Sequence, residues 1–139
     1  MNTRLYVIAS LAVFAVLVSL NWLLHGVVLS ELYEMSKSIW RNEASREVFT
    51  PLLFVNYFVV SFVFVYLFTR GYRNKGWAEG VRYGLVFGLV IATSGTIEKF
   101  VLIDVPARLA LGWFMGTLFS YMILGLVTAV IYRNRVNPR

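Results

Sequence analysis

Four long stretches without Asp, Glu, Lys or Arg set the strongest limit on what this chain can fold into. Three of them contain 22 to 26 residues, namely Leu5–Ser30, Val48–Thr69 and Leu109–Tyr132. A helix rises about 1.5 Å per residue, so about 20 apolar residues cross a bilayer core about 30 Å thick. Each of these stretches is therefore long enough to form a membrane-spanning helix.

The remaining stretch, Tyr83–Ile97, has only 15 residues between charged side chains. The apolar residues Phe100–Ile103 extend it past Glu98 and Lys99, whose side chains must then reach towards the headgroups. A short re-entrant or buried helix is the alternative. We predict a full span, because an even number of spans explains the charge distribution best.

The sequence thus predicts an all-α fold, a bundle of four transmembrane helices in a single domain. Helix starts are expected where Thr50 caps Pro51 and at Asp104-Val105-Pro106, and Asn134 and Pro138 should end the last helix soon after Tyr132. The first span exceeds the hydrophobic region of a signal peptide and is predicted to be a retained anchor. The approximate spans are 5–29, 51–69, 81–103 and 106–132.

Basic residues divide unevenly between the two sides of this predicted bundle. One side carries eight basic residues and a single acid, Glu79, whereas the other carries five basic residues and six acids. Lys and Arg concentrate in cytoplasmic loops, so the first side, with both termini, is predicted to be cytoplasmic at the cell inner membrane. Attraction to anionic lipid headgroups accounts for the basic surplus, and nucleic acid is not expected as a partner.

The outer loop after the first span contains a helical pattern. Leu32, Met35, Ile39 and Trp40 share one helical face, and charged residues cover the rest. The pattern predicts a short amphipathic interfacial helix over about residues 31–46, in the first outer loop. A docking surface for a partner is the alternative.

Small residues repeat every four positions on the third and fourth predicted spans. This spacing places them on one helix face, where two backbones can approach closely in lipid. The stripes serve either internal packing of one bundle or an interface with another subunit. They consist of Gly80, Gly84 and Gly88 on the third span and Gly112, Gly116 and Ser120 on the fourth.

Several polar groups fall in one layer beneath the outer surface. Asn21 and His25 lie one turn apart on the first span, Asn56 lies on the second, Glu98 on the third and Trp113 on the fourth. Polar groups inside a membrane are costly and suggest function. They predict either a pocket that exchanges protons or binds a cation or a polar headgroup, or a hydrogen-bonded lock that only stabilises the bundle.

The residue inventory restricts the chemistry that this chain can perform. With no cysteine and one histidine, it lacks disulfides, thiolate metal sites and the three or four ligands of a zinc site. Phosphate-binding glycine loops, GxSxG and HExxH motifs are also missing from the sequence. With only 14% charged residues, against about 25% in an ordinary soluble domain, a soluble enzyme is not expected. We expect a protein that is not an enzyme and needs no metal or cofactor.

Three segments carry a resemblance to known proteins. They are Asn21-Trp22-Leu23-Leu24-His25-Gly26, the following Tyr33 and Trp40, and the opening of the third span from Ala78 to Gly88. Together they resemble small bacterial inner-membrane proteins of an uncharacterised four-helix family. The resemblance implies a prokaryotic inner membrane and four helices, and it assigns no activity to any residue.

Two functions are open at this point. The first is a non-catalytic accessory or scaffolding subunit of a larger membrane complex, with the lipid bilayer and other membrane subunits, or further copies of the chain, as partners. The alternative is a small oligomeric binding or transport protein that uses the outer polar pocket of His25, Asn56 and Glu98. Four spans are few for a monomeric carrier, so this alternative requires at least a dimer.

Overall fold

A computed structural model describes the backbone of residues 2–136 and the side chains of residues 2–133. Within these limits the chain is helical and has no strand. A five-residue π-helical segment follows the first helix directly, and a short 3₁₀ turn precedes the third. The elements are α1 Thr3–Leu23, the π segment Leu24–Val28, α2 Ser30–Met35, the 3₁₀ turn Lys37–Ile39, α3 Glu43–Gly71, α4 Trp77–Leu102 and α5 Ala107–Val136.

Four helices are long and apolar enough to cross a membrane, which confirms the predicted all-α, four-helix architecture. They are Thr3–Val28, Glu43–Gly71, Trp77–Leu102 and Ala107–Arg133. The third stretch, short by charge counting, lies within a continuous helix of 26 residues. Its flanking charges are therefore part of the same helix, as the snorkelling interpretation requires.

The start of α3 differs from the prediction. The helix begins at Glu43, where the Asn42 side chain accepts a hydrogen bond of 2.8 Å from the Ser45 amide. Thr50 is not a cap, because its hydroxyl donates to the Arg46 carbonyl within the helix. An asparagine cap followed by an acidic first turn is a favourable start, whereas Pro51 removes only one backbone donor from the helix interior.

The predicted helix over residues 31–46 is not continuous. It is divided into α2, the 3₁₀ turn and an extended residue, Trp40, and residues 43–46 belong to α3. Ser36 follows the last residue of α2, and its hydroxyl donates to the Leu32 carbonyl of that helix at 2.8 Å. Leu32, Ile39 and Trp40 then pack on a buried cluster of Leu29, Val105, Leu109 and Trp113, whereas Met35 is 74% exposed.

The two ends of the bundle are built differently, and we name them by their contents. The terminal half holds residues 2–13, the 72–76 loop and the end of α5; the α2 half holds α2 and the 103–106 loop. In the terminal half, α1, α3 and α5 share one core, to which α4 adds Tyr83 and Phe87. Its buried members are Leu5, Ala9, Val13, Leu17, Phe64, Val65, Phe68, Tyr121, Leu124, Ala129 and Tyr132.

Close approach of α4 and α5 depends on missing side chains. A Cβ atom on Gly80 or Gly84 would overlap the α5 backbone at Gly125 or Tyr121. The small residues of α5 that were predicted to form a stripe face another element, because Gly112 lies against Leu29 and Gly116 against Leu24. The two stripes therefore face different elements of the same chain; Gly88 lies against Tyr121, and Ser120 is buried.

The last helix begins and ends close to the predicted positions. Its first turn follows Pro106, whose carbonyl accepts from the Leu109 amide at 2.9 Å. The helix continues to Val136, one turn beyond Tyr132. Pro138, the predicted stop, and Arg139, one of the predicted cytoplasmic charges, lie outside the described residues.

Candidate functional site

A hydrogen-bonded cluster joins three elements in the α2 half, and Tyr33 is its centre. The Tyr33 hydroxyl lies 2.7 Å from Nδ1 of His25 in the π segment. It also accepts a 2.6 Å hydrogen bond from the indole Nε1 of Trp113 on α5. One side chain of α2 therefore connects the end of α1 with α5.

The direction of one of these hydrogen bonds follows from the groups involved. An indole Nε1–H can only donate, so the Tyr33 oxygen is its acceptor. The Tyr33 hydroxyl keeps its proton and a second lone pair, so it donates to Nδ1 of one His25 tautomer and accepts from Nδ1–H of the other. Within the described part of the chain, Nε2 of His25 has no hydrogen-bond partner.

His25 is carried by a widened turn of helix. In the π segment the Leu29 amide donates to the Leu24 carbonyl at 2.9 Å, five residues back instead of four. The wider turn directs Leu24 and Leu29 onto Gly116 and Gly112 of α5. Single π turns inside α-helices occur frequently at functional sites. The small residues of α5 thus make room for the turn that presents His25.

Aromatic rings and one cation surround the hydrogen bonds. The Trp40 ring packs 5.3 Å from the Tyr33 ring and 5.9 Å from the Trp113 ring, measured between centroids. Its Nε1 donates to the Ser36 hydroxyl at 3.0 Å, so its polar atom is satisfied. Lys99 of α4 places its Nζ 5.5 Å from the Trp113 ring centroid, within the range of a cation–π interaction.

Burial makes Tyr33 a weaker acid than an ordinary tyrosine. Desolvation raises the pKa of Tyr33 from 10.0 to about 12, with a smaller rise from Tyr57 and an opposing effect of the Trp113 hydrogen bond. The hydroxyl therefore keeps its proton at neutral pH.

The predicted polar layer is only partly brought together. His25 and Trp113 meet through Tyr33, but Asn21 donates to the Leu17 carbonyl of its own helix at 3.0 Å. Asn56 and Glu98 are exposed, and neither bonds to His25 in the part of the chain that the structure describes. Depth along a helix placed them in one layer, but the faces on which they lie do not converge.

Tyr33, Trp40 and Lys99 were not among the predicted site residues. Tyr33 and Trp40 are seven residues apart, a spacing that repeats on one helical face, and this was the available signal. Lys99 gave no such signal, because only the fold places α4 beside Trp113.

Two further surfaces lie in the α2 half. An apolar groove of about 350 Å³ opens between α4 and α5 and includes Ile97, Phe100 and Leu111 in its lining. The second surface is α3 itself, where residues 46–56 are exposed on all sides except at Thr50. Asn56 is the polar residue at the inner end of this segment.

The described residues contain no group of three His, Cys, Asp or Glu side chains that could hold a metal ion. Comparisons with models of known protein families, with curated proteins and with solved structures gave no match. The geometry is therefore the basis for the functional proposal.

Proposed function

We propose that this chain is a non-catalytic multi-pass membrane protein that serves as an accessory or scaffolding subunit of a larger membrane complex. The observation that carries the proposal is the exposure of α3 in the α2 half. The same helix is buried at Ser61, Phe64, Val65 and Phe68 in the terminal half. A helix that lacks neighbours within its own chain over half its length has a surface free for another protein.

The polar side chain of Asn56 favours contact of α3 with another protein over contact with lipid alone. It is nine residues from Glu47 and fourteen from Arg70, the nearest charged residues of α3. These separations correspond to about 13.5 Å and about 21 Å along the helix, and Asn56 lies about 7.5 Å inside the predicted span that begins at residue 51. An amide without a hydrogen bond in hydrocarbon costs about 2–7 kcal/mol, and a neighbouring helix can satisfy it.

The charges of the terminal half support a cytoplasmic location for both termini. Glu79, the single acid there, accepts hydrogen bonds from the Arg73 amide at 2.6 Å and the Lys75 amide at 2.8 Å. The carboxylate therefore holds the loop backbone, and the exposed Arg73 and Lys75 side chains have no acidic partner in the described part of the chain. Unpaired cations of this kind favour the anionic inner surface of a bacterial inner membrane.

The opposite end fits an outer membrane surface. Glu31, Glu34 and Met35 of α2 are exposed, while Leu32 and Tyr33 pack inwards. A short helix with this division of side chains lies along the interface, with its polar face in water.

Purification of the tagged chain from bacterial membranes in a mild detergent tests the proposal. Native mass spectrometry should find the chain in a stoichiometric assembly heavier than one 15.9 kDa subunit. A photo-crosslinking residue at Leu52 of α3 should capture protein, whereas the same residue at Val86, exposed on α4, should capture mainly lipid. A lone monomer that captures only lipid at both positions would contradict the proposal.

One observation supports the alternative function, that of a small binding or transport protein. Nε2 of His25, which has no hydrogen-bond partner in the described part of the chain, lies in the same half as the exposed Lys99. His25→Ala should then abolish binding of a polar ligand without unfolding the protein. If His25→Ala only lowers the melting temperature, the cluster has a structural role.

A further inference from the structure

We propose that the partner that covers α3 is a second copy of this chain. The contact surface is a row of five residues on α3, which we call the α3 stripe: Phe49, Leu52, Asn56, Val59 and Val63. The inference rests on the proposed function, since it specifies which partner occupies the exposed helix.

The spacing of the stripe is that of a helix pair. Its members are separated by three, four, three and four residues, an average of 3.5. A repeat of this length keeps one face directed at a neighbouring helix over several turns. The four apolar members are 45–63% exposed, and Asn56 is exposed as well. At one end the Arg41 guanidinium lies 4.7 Å from the Phe49 ring centroid, and the other four members are uncovered in the single chain.

The stripe is separate from the surface that α3 uses within its own fold. Ser61, Val65 and Phe68 are buried, with Val65 and Phe68 in the core of the terminal half. These residues lie about 120–180° around the helix from Asn56 and Val63, by the 100° rotation per residue of an α-helix. A second chain can therefore contact the stripe without displacing α1 or α5.

The amide of Asn56 makes this surface complementary to itself. Two copies inserted in the same orientation pair about an axis along the membrane normal, so their α3 helices run parallel and each residue meets its own counterpart. An amide both donates and accepts, so Asn56 of one copy can donate to the Asn56 carbonyl of the other. A single Asn in an otherwise apolar seam fixes register and favours two strands.

A second copy also supplies a polar partner for Asn56 at the same depth in the membrane. A different membrane protein would need a polar group at the same depth as Asn56, whereas an identical chain places one there by symmetry. No charged residue lies between Glu47 and Arg70, so the paired stripes bring no like charges together in the membrane. The first charge beyond the stripe, Arg70, is hydrogen-bonded to the Tyr66 hydroxyl at 2.7 Å.

Disulfide trapping in native membranes tests the pairing directly. The chain has no cysteine, so Leu52→Cys and Val59→Cys each introduce the only thiol. We expect rapid oxidation of both variants to a covalent dimer. Phe54→Cys and Phe58→Cys are matched controls, because they are exposed on α3 but lie away from the stripe. Equal trapping at all four positions, or none at Leu52 and Val59, would overturn the inference.

Removal of the amide tests its role in the dimer. Asn56→Val should weaken dimerisation about 3- to 30-fold, the range that one interhelical hydrogen bond contributes in a membrane. Energy transfer between labelled copies at decreasing protein-to-lipid ratios measures this change. Asn56→Gln should restore part of the affinity, and Asn21→Val should leave it unchanged, because Asn21 bonds within its own helix.

Circular dichroism must show the same helical content for each variant, which is expected because Asn56 is exposed. An Asn56→Val protein that folds and dimerises as tightly as the natural chain would overturn the inference.

The result also separates this inference from the proposed function. If the thiols at 52 and 59 do not join but a photo-crosslinker at Leu52 captures a different membrane protein, the second-copy inference is wrong and the subunit function stands. If neither self-contact nor another protein is found, both are wrong.

Discussion

The two halves of this bundle are held together in different ways. In the terminal half, α4 and α5 meet backbone to backbone at Gly80, Gly84 and Gly125, and aromatic rings fill the space beside them. In the α2 half, three elements are joined by hydrogen bonds through Tyr33, and α3 stands apart. Close packing holds the terminal half together, whereas the α2 half depends on a few hydrogen bonds and leaves one surface of α3 exposed.

The contrast is visible along one face of α3. Phe54 and Val65 are eleven residues apart, about three turns, and so lie on nearly the same face. Phe54 is 47% exposed and Val65 is 0% exposed. The Tyr83 hydroxyl of α4 donates to the Phe64 carbonyl at 2.7 Å and connects the two helices in the terminal half. The fold of the chain therefore buries only one half of α3, and the other half is exposed.

The largest expected difference in stability lies between loss of a phenylalanine ring from the terminal half and loss of one from the α2 half. Phe64→Ala should lower the free energy of unfolding by about 3 kcal/mol, because Phe64 is fully buried and its removal leaves a cavity. Phe54→Ala should change it by about 0.5 kcal/mol or less. Denaturant titration in mixed micelles measures both, and equal losses would contradict the contrast.

The helix contact in the terminal half should be sensitive to a single methyl group. Gly84→Ala places a Cβ against the backbone of Tyr121, so α4 and α5 must separate, at a cost of about 1–3 kcal/mol. Gly95 on the same helix has nothing within 4 Å of a Cβ, and Gly95→Ala should stabilise the protein by up to about 1 kcal/mol. The two melting temperatures should move in opposite directions; a shift in the same direction would argue against glycine-dependent packing.

The hydrogen-bonded cluster should contribute less than the packed half. Tyr33→Phe leaves the Trp113 indole N–H and Nδ1 of His25 without their partner, and we expect a loss of about 1–3 kcal/mol. Tyr66→Phe is the control, because Tyr66 is exposed and its hydroxyl bonds only to Arg70 in the described part of the chain. A Tyr33→Phe protein as stable as this control would show that the cluster does not support the α2 half.

The smallest effect should appear at alkaline pH. Since burial raises the pKa of Tyr33 from 10.0 to about 12, the unfolded chain loses this proton before the folded chain does. The contribution of the protonated hydroxyl is therefore complete below about pH 10 and lost between about pH 10 and about pH 12. Tyr33→Phe should show a smaller decline of melting temperature over this interval than the natural chain; an identical decline would contradict the assignment.

The sequence was sufficient to predict the helices, but it did not predict which elements each helix contacts. Long uncharged stretches identified three spans, because a helix satisfies its backbone hydrogen bonds internally in lipid, and the charge distribution indicated the fourth. The prediction placed the N-cap of α3 at Thr50, whereas the structure has it at Asn42. Both residue types are good caps, and only the acidic turn after Asn42 distinguishes them.

The candidate site shows the same limit. Depth along each helix grouped His25 with Asn56 and Glu98, but helix rotation and tilt decide which side chains meet, and the sequence does not encode these simply. The seven-residue spacing of Tyr33 and Trp40 was a signal for this part of the site, but the contact of Tyr33 with Trp113 became known only from the fold. The glycine repeats were informative about close packing, although the elements they face became known only from the fold.

Accessibility of α3 to molecular oxygen in the bilayer tests the contrast between the halves most directly. Nitroxide labels on Phe54→Cys and Val65→Cys report the same helix face, on the side away from the α3 stripe, so dimerisation does not affect the comparison. Electron paramagnetic resonance should find the label at position 54 readily reached by oxygen dissolved in lipid and the label at position 65 shielded. Equal shielding at both positions would show that α3 is packed along its whole length.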